Sequence, residues 1–292
     1  LLLFDQLTEP SGIAKFNESC RSIVLRYTKE WRMIITRLGR WVDFENDYKT
    51  MDPDYMESIW WVVKELWKKN LLMEGFYILP YCPRCSTALS NFELNLGGYK
   101  DVHDPAITVR FSVKNEPDTY IIAWTTTPWT LPSNLALALG PEITYVKVKD
   151  GDDYYILAKD LLPAYYKDES SYTIEKEFKG KDFAGVEYEP LFPYFAELSE
   201  KGAFRTFNGD FVSTEDGTGI VHIAPGFGED DYAILKDTDI PTVCPVDGEG
   251  KFTPEVSDYQ GIFVKSADKQ IIRDLKEQKK LVKQATYLHP YP

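Results

Sequence analysis

A buried strand that runs into a threonine- and proline-rich loop constrains the fold of this chain more than any other stretch. Residues 120–124 are apolar and rich in β-branched and aromatic side chains, which pack well on a sheet. Pro128 and Pro132 have no N–H to donate to a neighbouring strand, so the strand has to end before them. The strand end and loop then present five hydroxyls and one amide, from Thr125, Thr126, Thr127, Thr130, Ser133 and Asn134. These residues predict a rigid hydrogen-bonding surface without a strong acid or base.

A second polar stretch surrounds a histidine. His222 lies within a short apolar segment, 220–223, which is followed by a Pro-Gly-x-Gly turn and the acidic triplet 229–231. Each part alone has an ordinary explanation. Carboxylates in a first helical turn interact favourably with the helix dipole, and histidines in strands are commonly core residues. The glycines do not form a strand-GxGxxG-helix unit or a Walker loop.

Together, the two stretches resemble the editing domain of isoleucyl-tRNA synthetases. The first reads Trp-Thr-Thr-Thr-Pro-Trp-Thr-Leu-Pro-x-Asn over 124–134. The second reads Gly-Thr-Gly-x-Val-His-x-Ala-Pro-Gly-x-Gly-x-Asp-Asp-Tyr over 217–232. Valyl and leucyl enzymes have Thr-Thr-Arg-Pro-Glu/Asp-Thr at the first string, so the tryptophan at position 129 favours the isoleucyl branch. Residues 38–61 resemble the segment that leads into that domain, so the resemblance covers nearly the whole chain.

The resemblance implies hydrolytic proofreading: deacylation of Val-tRNA(Ile), with Val-AMP as a second substrate, inside a parent ligase that binds ATP. The chain lacks the His-x-Gly-His and Lys-Met-Ser-Lys-Ser strings of an aminoacylation site, a Gly-x-Ser-x-Gly elbow and a His-Glu-x-x-His motif. We therefore expect an ester hydrolase that positions water and stabilises an oxyanion. Two alternatives stay open: a non-catalytic module that binds a tRNA end or a protein partner, and a valyl-type editing domain that clears threonine.

The resemblance also assigns roles to single residues. Asp231 pairs with the α-ammonium of the mischarged amino acid, with helix capping as the alternative, although Asp230 is the better candidate for the cap. His222 walls the amino-acid pocket and holds the ribose. Four threonines contact the adenosine, the ester or the water: Thr125, Thr126, Thr127 and Thr130. Asn134 fixes the loop or binds the adenosine. Trp129 packs beneath the loop or stacks on the terminal base.

Cys82 and Cys85 form one Cys-x-x-Cys, which has the shape of half a zinc knuckle. Structural zinc takes four protein ligands, and the other two cysteines, Cys20 and Cys244, stand singly. Members of the resembled family carry a second cysteine segment just after the editing domain. We therefore expect a zinc half-site that is incomplete within this chain, and no cofactor for editing itself.

The net charge of −13 argues against a general nucleic-acid binder. We expect only the 3′ end of tRNA(Ile) carrying valine to enter, with most RNA affinity in the rest of the synthetase chain. The chain has two basic clusters, each of which is most simply interpreted as a solvated helix face: Lys68 and Lys69, and Arg273, Lys276, Lys279, Lys280 and Lys283.

No window approaches about 18 apolar residues, so we expect no membrane association. A chain without an initial methionine and with few cysteines is expected to be a fragment of a longer, cytoplasmic, monomeric protein.

The pattern predicts an α+β fold with a compact β-barrel-like editing domain over 93–292, ringed by short helices. A helical segment containing the half zinc knuckle precedes it over 1–92, with a helix from about 13 to 37 and another that begins at Asp52-Pro53. The second helix is expected to bury an apolar stripe made by Tyr55, Ile59, Val62, Val63 and Leu66. Residues 163–180 are expected to form a surface excursion. Strands are predicted near 107–112, 119–124, 145–149, 154–157, 172–176, 204–207 and 220–223. Short helices are predicted near 159–162, 230–236 and 266–278.

Overall fold

A computed structural model of the chain describes residues 10–97 and 99–291. By packing, the chain divides into two compact units, Leu1–Gly75 and Phe76–Pro292. The segment 76–92 belongs with the second unit, where the Tyr81 hydroxyl donates to the Gly248 carbonyl at 3.1 Å. The functional boundary expected between residues 92 and 93 stays a prediction.

Over its described residues, 10–75, the first unit contains two helices, α1 (Pro10–Arg37) and α2 (Pro53–Lys68). Both predicted helices are confirmed, and α2 begins at the proline that follows Asp52. The buried stripe expected on α2 is wrong, because none of its residues is buried. The expected stripe residues are partly or largely exposed: Tyr55, Ile59, Val62, Val63 and Leu66. Two helices alone do not provide a second layer that covers an apolar face.

The second unit contains the strands and the remaining helices. The strands are β1 (Tyr81–Cys82), β2 (Thr87–Ala88), β3 (Lys100–Ser112), β4 (Thr119–Thr125), β5 (Ala136–Leu139), β6 (Thr144–Asp150), β7 (Asp153–Ala158), β8 (Thr173–Lys179), β9 (Arg205–Asn208), β10 (Ile220–Ile223) and β11 (Leu281–Tyr291). The helices are α3 (Asn91–Asn95), α4 (Leu162–Tyr165), α5 (Glu229–Leu235) and α6 (Val264–Glu277). Short 3₁₀ segments occupy Pro128–Ser133, Lys159–Leu161, Glu169–Ser171, Gly180–Phe183, Ala196–Lys201 and Ser257–Tyr259.

The strands form three sheets. A six-stranded sheet has the order β11-β3-β4-β7-β6-β8, a three-stranded sheet has the order β10-β5-β9, and β1 pairs with β2. The pairs β4–β7 and β5–β9 are parallel, and the others are antiparallel. The α+β class is confirmed. Hydrogen bonding leaves β11 and β8 at the edges of the larger sheet within the described residues, and the barrel-like shape stays a prediction.

All seven predicted strands are present, but β1, β2, β5 and β11 were missed. The sequence of β5 is Ala-Leu-Ala-Leu, and all four residues are buried. Alanine and leucine have little intrinsic preference for strands, so β5 is fixed by its pairing with β10 and β9 rather than by propensity. Strand β11 is likewise fixed by pairing, in its case with β3.

Alternation along β4 decides which side of the sheet receives the threonine loop. Ile121 and Ala123 belong to the main core, whereas Ile122 packs in a smaller cluster on the other face. Successive side chains of a strand point to opposite faces. Thr125 therefore follows Ile121 and Ala123 toward the main core, and it is buried.

Candidate functional site

A chain of hydroxyl contacts joins the two polar stretches. Thr125 Oγ1 and Thr127 Oγ1 are 3.2 Å apart, and Thr127 Oγ1 and Thr130 Oγ1 are also 3.2 Å apart. Thr130 Oγ1 then lies 2.9 Å from His222 Nε2. Thr130 and His222 are 92 positions apart in the sequence. Three predicted threonines and the predicted histidine therefore share one hydrogen-bonded cluster.

Local geometry explains how the loop presents these hydroxyls. The Thr127 N–H donates to Thr125 Oγ1 at 3.0 Å, and the Thr130 hydroxyl donates to the Thr127 carbonyl at 2.8 Å. Such side-chain to backbone bonds are typical of threonine where a chain leaves regular structure. The 3₁₀ turn Pro128–Ser133 follows the strand, where the sequence analysis expected irregular chain. Thr126 is partly exposed, and no side-chain hydrogen bond joins it to this cluster within the described residues.

Trp129 connects the loop to both the second string and a distant helix. Its ring packs edge-on against Phe227, with centroids 4.9 Å apart. Its backbone N–H donates to Asp268 Oδ1 at 3.0 Å. Asp268 lies on α6 and is only 4% exposed. Asp268 was not predicted from the sequence, since a carboxylate 139 positions away in an ordinary amphipathic helix gives no local signal.

Asn134 is tied into the scaffold. Its Nδ2 donates to the Ala136 carbonyl at 2.8 Å, and its Oδ1 accepts from the Tyr188 hydroxyl at 2.7 Å. Both Asn134 and Tyr188 are buried, and burial raises the pKa of Tyr188 well above its ordinary value. The side chain is therefore placed to fix the start of β5, and Tyr188 is a second supporting residue that the sequence analysis missed.

His222 lies behind the threonines as a neutral, buried ring. It is 7% exposed on β10, and burial lowers its pKa to about 4. Because the Thr130 hydroxyl donates to Thr127, the assigned tautomer has Nε2–H donating to Thr130. Nδ1 is then an acceptor, and within the described residues it has no hydrogen-bond partner.

Asp231 holds its carboxylate against the turn that follows His222. Its Oδ2 accepts the Ala224 N–H at 2.8 Å. Burial raises the pKa of this carboxyl to about 6, and the neighbouring charge of Asp230 adds to the rise. A Cβ on Gly228 would stand 2.8 Å from the Asp231 carboxyl carbon, so a glycine is needed for this close approach. The expectation that Asp230 caps α5 is wrong: the N-cap is Gly228, and no side-chain cap bond forms.

Cys82 and Cys85 lie on the β1–β2 hairpin. The pKa of Cys82 is lowered, chiefly because the Cys85 backbone N–H donates to its sulfur, and the pKa of Cys85 is raised by its hydrogen bond to Cys82. Two adjacent thiols on a tight hairpin fit half of a tetrahedral zinc site. Among the described residues, no group of three or more potential ligands is gathered. The half-site at Cys82 and Cys85 stays a prediction that needs two further ligands.

No helix among the described residues is long and apolar enough to cross a membrane.

Comparison with known proteins defines the class. Residues 5–284 match the family model described as tRNA synthetases class I (I, L, M and V), and the chain belongs to that family.

The particular relatives are isoleucine–tRNA ligases. The ligase of Treponema denticola is 61% identical over 97% of this chain, and that of Treponema pallidum is 54% identical over the same share. The ligase of Protochlamydia amoebophila is 51% identical, also over 97% of the chain. The chain spans 29% of the length of the two Treponema relatives and 28% of the third. The resemblance to isoleucyl enzymes inferred from the two strings is confirmed.

Solved structures with related shape include GlLeuRS-CP1, with a TM-score of 0.46 and 15% identity over 62% of this chain and 98% of that one. The P. knowlesi cytosolic leucyl-tRNA synthetase editing domain has a TM-score of 0.43 and 12% identity over 64% of this chain and 97% of its own. Likeness at this level assigns neither fold nor function.

Proposed function

We propose that this chain is the hydrolytic proofreading part of an isoleucyl-tRNA synthetase, and that it deacylates Val-tRNA(Ile), with Val-AMP as a second substrate. The observation that carries the proposal is the hydroxyl cluster Thr125–Thr127–Thr130–His222, with the Asp231 carboxylate bound to the turn beside it. It joins the only two polar strings that the sequence singled out. The isoleucine–tRNA ligase relatives support the choice of amino acid and tRNA.

The need for a second site follows from the small difference in binding free energy between isoleucine and valine. Isoleucine and valine differ by one methylene, the standard example of a difference from which a binding pocket gains only about 1–3 kcal/mol. A smaller hydrolytic site that admits valine excludes isoleucine by size. His222 is buried and neutral, so it is suited to be a fixed wall of such a site. Its Nδ1 is buried and has no hydrogen-bond partner among the described residues, so contact with the ribose would come from the exposed edge of the ring.

Hydrolysis of the ester requires the protein mainly to position water and to stabilise an oxyanion. Water adds to the ester carbonyl carbon and gives a tetrahedral oxyanion. The bond from that carbon to the ribose oxygen then breaks, the ribose oxygen takes a proton, and valine leaves as the free acid. Threonine hydroxyls at the loop supply donors and acceptors for the water and the oxyanion. The buried Thr125, Thr130 and Asn134 fix the loop, while the partly exposed Thr126, Thr127 and Trp129 face the ester and the terminal base.

Asp231 is proposed to recognise the α-ammonium of the bound amino acid. One oxygen accepts the Ala224 N–H, and in this proposal the carboxylate also makes a charge-assisted bond to the ammonium. A partly buried carboxylate gains more from such a pair than an exposed one, because water competes less.

The decisive experiment measures deacylation of Val-tRNA(Ile), Ile-tRNA(Ile) and Thr-tRNA(Val) by the chain and two variants. Asp231→Asn keeps an acceptor for the Ala224 N–H but removes the charge, whereas Asp231→Ala removes both. We expect hydrolysis of the valyl ester alone, and a loss of roughly 10- to 100-fold in kcat/KM for Asp231→Asn. Full activity in Asp231→Asn would contradict the ammonium role. Hydrolysis of the threonyl ester alone would establish the valyl-type alternative, and a folded chain that hydrolyses none of them would favour the binding module.

A further inference from the structure

The two halves of the candidate site lie on different sheets. The threonine loop begins at the end of β4 in the six-stranded sheet, and His222 lies on β10 in the three-stranded sheet. The loop then leads into β5, the central strand of the smaller sheet. Any pocket between the loop and the histidine therefore has a width that depends on how the two sheets are held together.

A short strap, residues 186–189, is hydrogen-bonded to both sheets. On the larger sheet, the Glu189 N–H donates to the carbonyl of Ser112, the last residue of β3, at 2.8 Å. On the smaller sheet, the Thr206 N–H of β9 donates to the Val186 carbonyl at 3.0 Å. Because hydrogen bonds are directional and short in range, the strap fixes these two strands relative to each other.

Tyr188 lies at the centre of the strap and is fully buried. Its ring packs edge-on against Phe111 of β3, with centroids 5.1 Å apart, and against Phe204, just before β9, at 6.2 Å. Its hydroxyl donates to Asn134 Oδ1 at 2.7 Å. Edge-to-face ring pairs and hydrogen bonds both depend on orientation. One side chain therefore connects both sheets to the end of the threonine loop.

The backbone around Phe204 shows how tightly this junction is constrained. Phe204 has a φ of 61°, an uncommon conformation for a bulky residue, which persists only where the surroundings determine it. Its N–H donates to the Leu135 carbonyl at 2.7 Å, and its carbonyl accepts the Tyr188 N–H at 3.0 Å. The Leu135 N–H donates at 2.9 Å to the carbonyl of Ile223, the residue that follows His222. A continuous set of backbone bonds therefore runs from the strap, past the end of the loop, to the strand of the histidine.

We propose that Tyr188 is a positioning residue that, through Asn134, sets the gap between the threonine loop and His222 and so decides how well the site excludes isoleucine. A site that separates side chains differing by one methylene needs its walls fixed to within about 0.5 Å. Without the tyrosine hydroxyl, the Asn134 carboxamide loses the donor that orients it, and the loop end is free to move away from the histidine. The choice of valine over isoleucine rests on the proposed function, whereas the holding of the loop by Tyr188 does not.

The first test measures kcat and KM of the 292-residue chain for Val-tRNA(Ile) and Ile-tRNA(Ile). Tyr188→Phe removes the hydroxyl and keeps the buried ring. We expect the ratio of kcat/KM for the valyl ester to that for the isoleucyl ester to fall roughly 5-fold, the effect of losing one ordinary hydrogen bond, with faster hydrolysis of the isoleucyl ester. A residue that only stabilised the fold would lower both values and leave their ratio unchanged.

Tyr194→Phe is the matched control for this ratio. It also removes the hydroxyl of a buried tyrosine, whose bond is made to Asp258 at 2.6 Å and not to the loop. We expect the ratio in Tyr194→Phe to equal that of the unmodified chain.

The double variant Asn134→Ala/Tyr188→Phe tests whether the effect passes through Asn134. Two residues that act through one shared hydrogen bond do not have additive effects. In the Asn134→Ala background, Tyr188→Phe should therefore change the ratio no further. The proposal is overturned if Tyr188→Phe alone leaves the ratio unchanged, or if it lowers the ratio equally in the two backgrounds.

Hydrogen exchange measured by mass spectrometry gives a readout that needs no activity. The Thr130 N–H donates to the Thr127 carbonyl at 3.0 Å, so its exchange reports on the loop. Peptides covering residues 125–134 should exchange faster in Tyr188→Phe than in Tyr194→Phe or the unmodified chain, and equal exchange in all three would overturn the proposal. If the unmodified chain hydrolyses neither ester while exchange is faster in Tyr188→Phe, the proposed function fails and the positioning of the loop is supported.

Discussion

At the scale of single residues, burial gives the two chemically distinctive groups of the site opposite protonation behaviour. Burial lowers the pKa of His222 to about 4, so the ring stays neutral near neutral pH. Burial raises the pKa of Asp231 to about 6, so this carboxyl ionises only in the upper part of the acidic range. In both cases the low-dielectric surroundings disfavour the charged form. A neutral wall and a titrating carboxylate beside it suit a site that must bind an ammonium group.

Asp231 predicts a pH dependence for deacylation. The ammonium-binding form is the carboxylate, so kcat/KM for Val-tRNA(Ile), corrected for spontaneous hydrolysis, should rise as pH increases through about 6 and then level off. In Asp231→Asn that rise should be absent. Asp268→Asn is the matched control, because burial raises the pKa of Asp268 to about 6 as well, and its carboxylate accepts the Trp129 N–H instead of an N–H beside His222. The rise should persist in Asp268→Asn. An unchanged rise in Asp231→Asn would assign the titration to another group.

The raised pKa of Asp231 also affects stability, and here the effect of increasing pH is unfavourable. Between about pH 4 and 6 the folded protein retains a proton on Asp231 that the unfolded chain has released. This group therefore lowers the free energy of unfolding as pH rises through that window. His222 acts in the other direction, because the unfolded chain binds a proton below about pH 6.5 that the folded ring takes up only near 4. Site residues that cost stability are common where function requires burial of polar groups.

At the scale of elements, α6 supports the 3₁₀ turn that carries Trp129 and Thr130. The Asp268 carboxylate accepts the first free N–H of that turn, much as a capping residue accepts one at a helix start. Because α6 follows the loop by more than a hundred residues, this bond is a tertiary contact that closes the site from behind.

Asp268→Ala tests this support. Removing the acceptor leaves the Trp129 N–H without its partner, and we expect the free energy of unfolding to fall by about 1–3 kcal/mol in urea titrations. Asp268→Asn retains an acceptor oxygen and should lose much less. If the two variants lose the same amount, the carboxylate charge rather than the hydrogen bond is what stabilises the turn.

At the scale of the whole molecule, the two units differ in how well they cover their apolar side chains. Every residue of the main core lies at position 107 or later, within the second unit. The first unit exposes large side chains instead, with Trp41 99% exposed, Trp60 73% and Met33 72%. An apolar surface of this kind is typical of an interface. The isoleucine–tRNA ligase relatives are more than three times as long, so we propose that the rest of the synthetase chain covers it.

This difference predicts how the chain behaves when residues 1–75 are deleted. The second unit contains the core, so residues 76–292 should unfold cooperatively with nearly the same thermal midpoint as the full chain. Fluorescence of a dye that binds apolar surface, such as ANS, should be strong for the full chain and weak after the deletion. The matched control is the double variant Trp60→Ser/Trp61→Ser of the full chain, for which we expect intermediate dye fluorescence. Strong dye binding by residues 76–292 alone would show that the exposed apolar surface lies in the second unit.

The sequence by itself determined the family, the seven predicted strands and most of the candidate site. These features depend on local physics: alternation that suits a sheet, prolines that end a strand, and polar residues where regular structure stops. The tertiary structure alone decided the rest. Strand β5 exists because its neighbours pair with it, and Asp268 and Tyr188 reach the loop from distant segments. Their partners lie far away in the chain. Burial within the folded unit also shifts the pKa values of His222 and Asp231. No local pattern of residues encodes either effect.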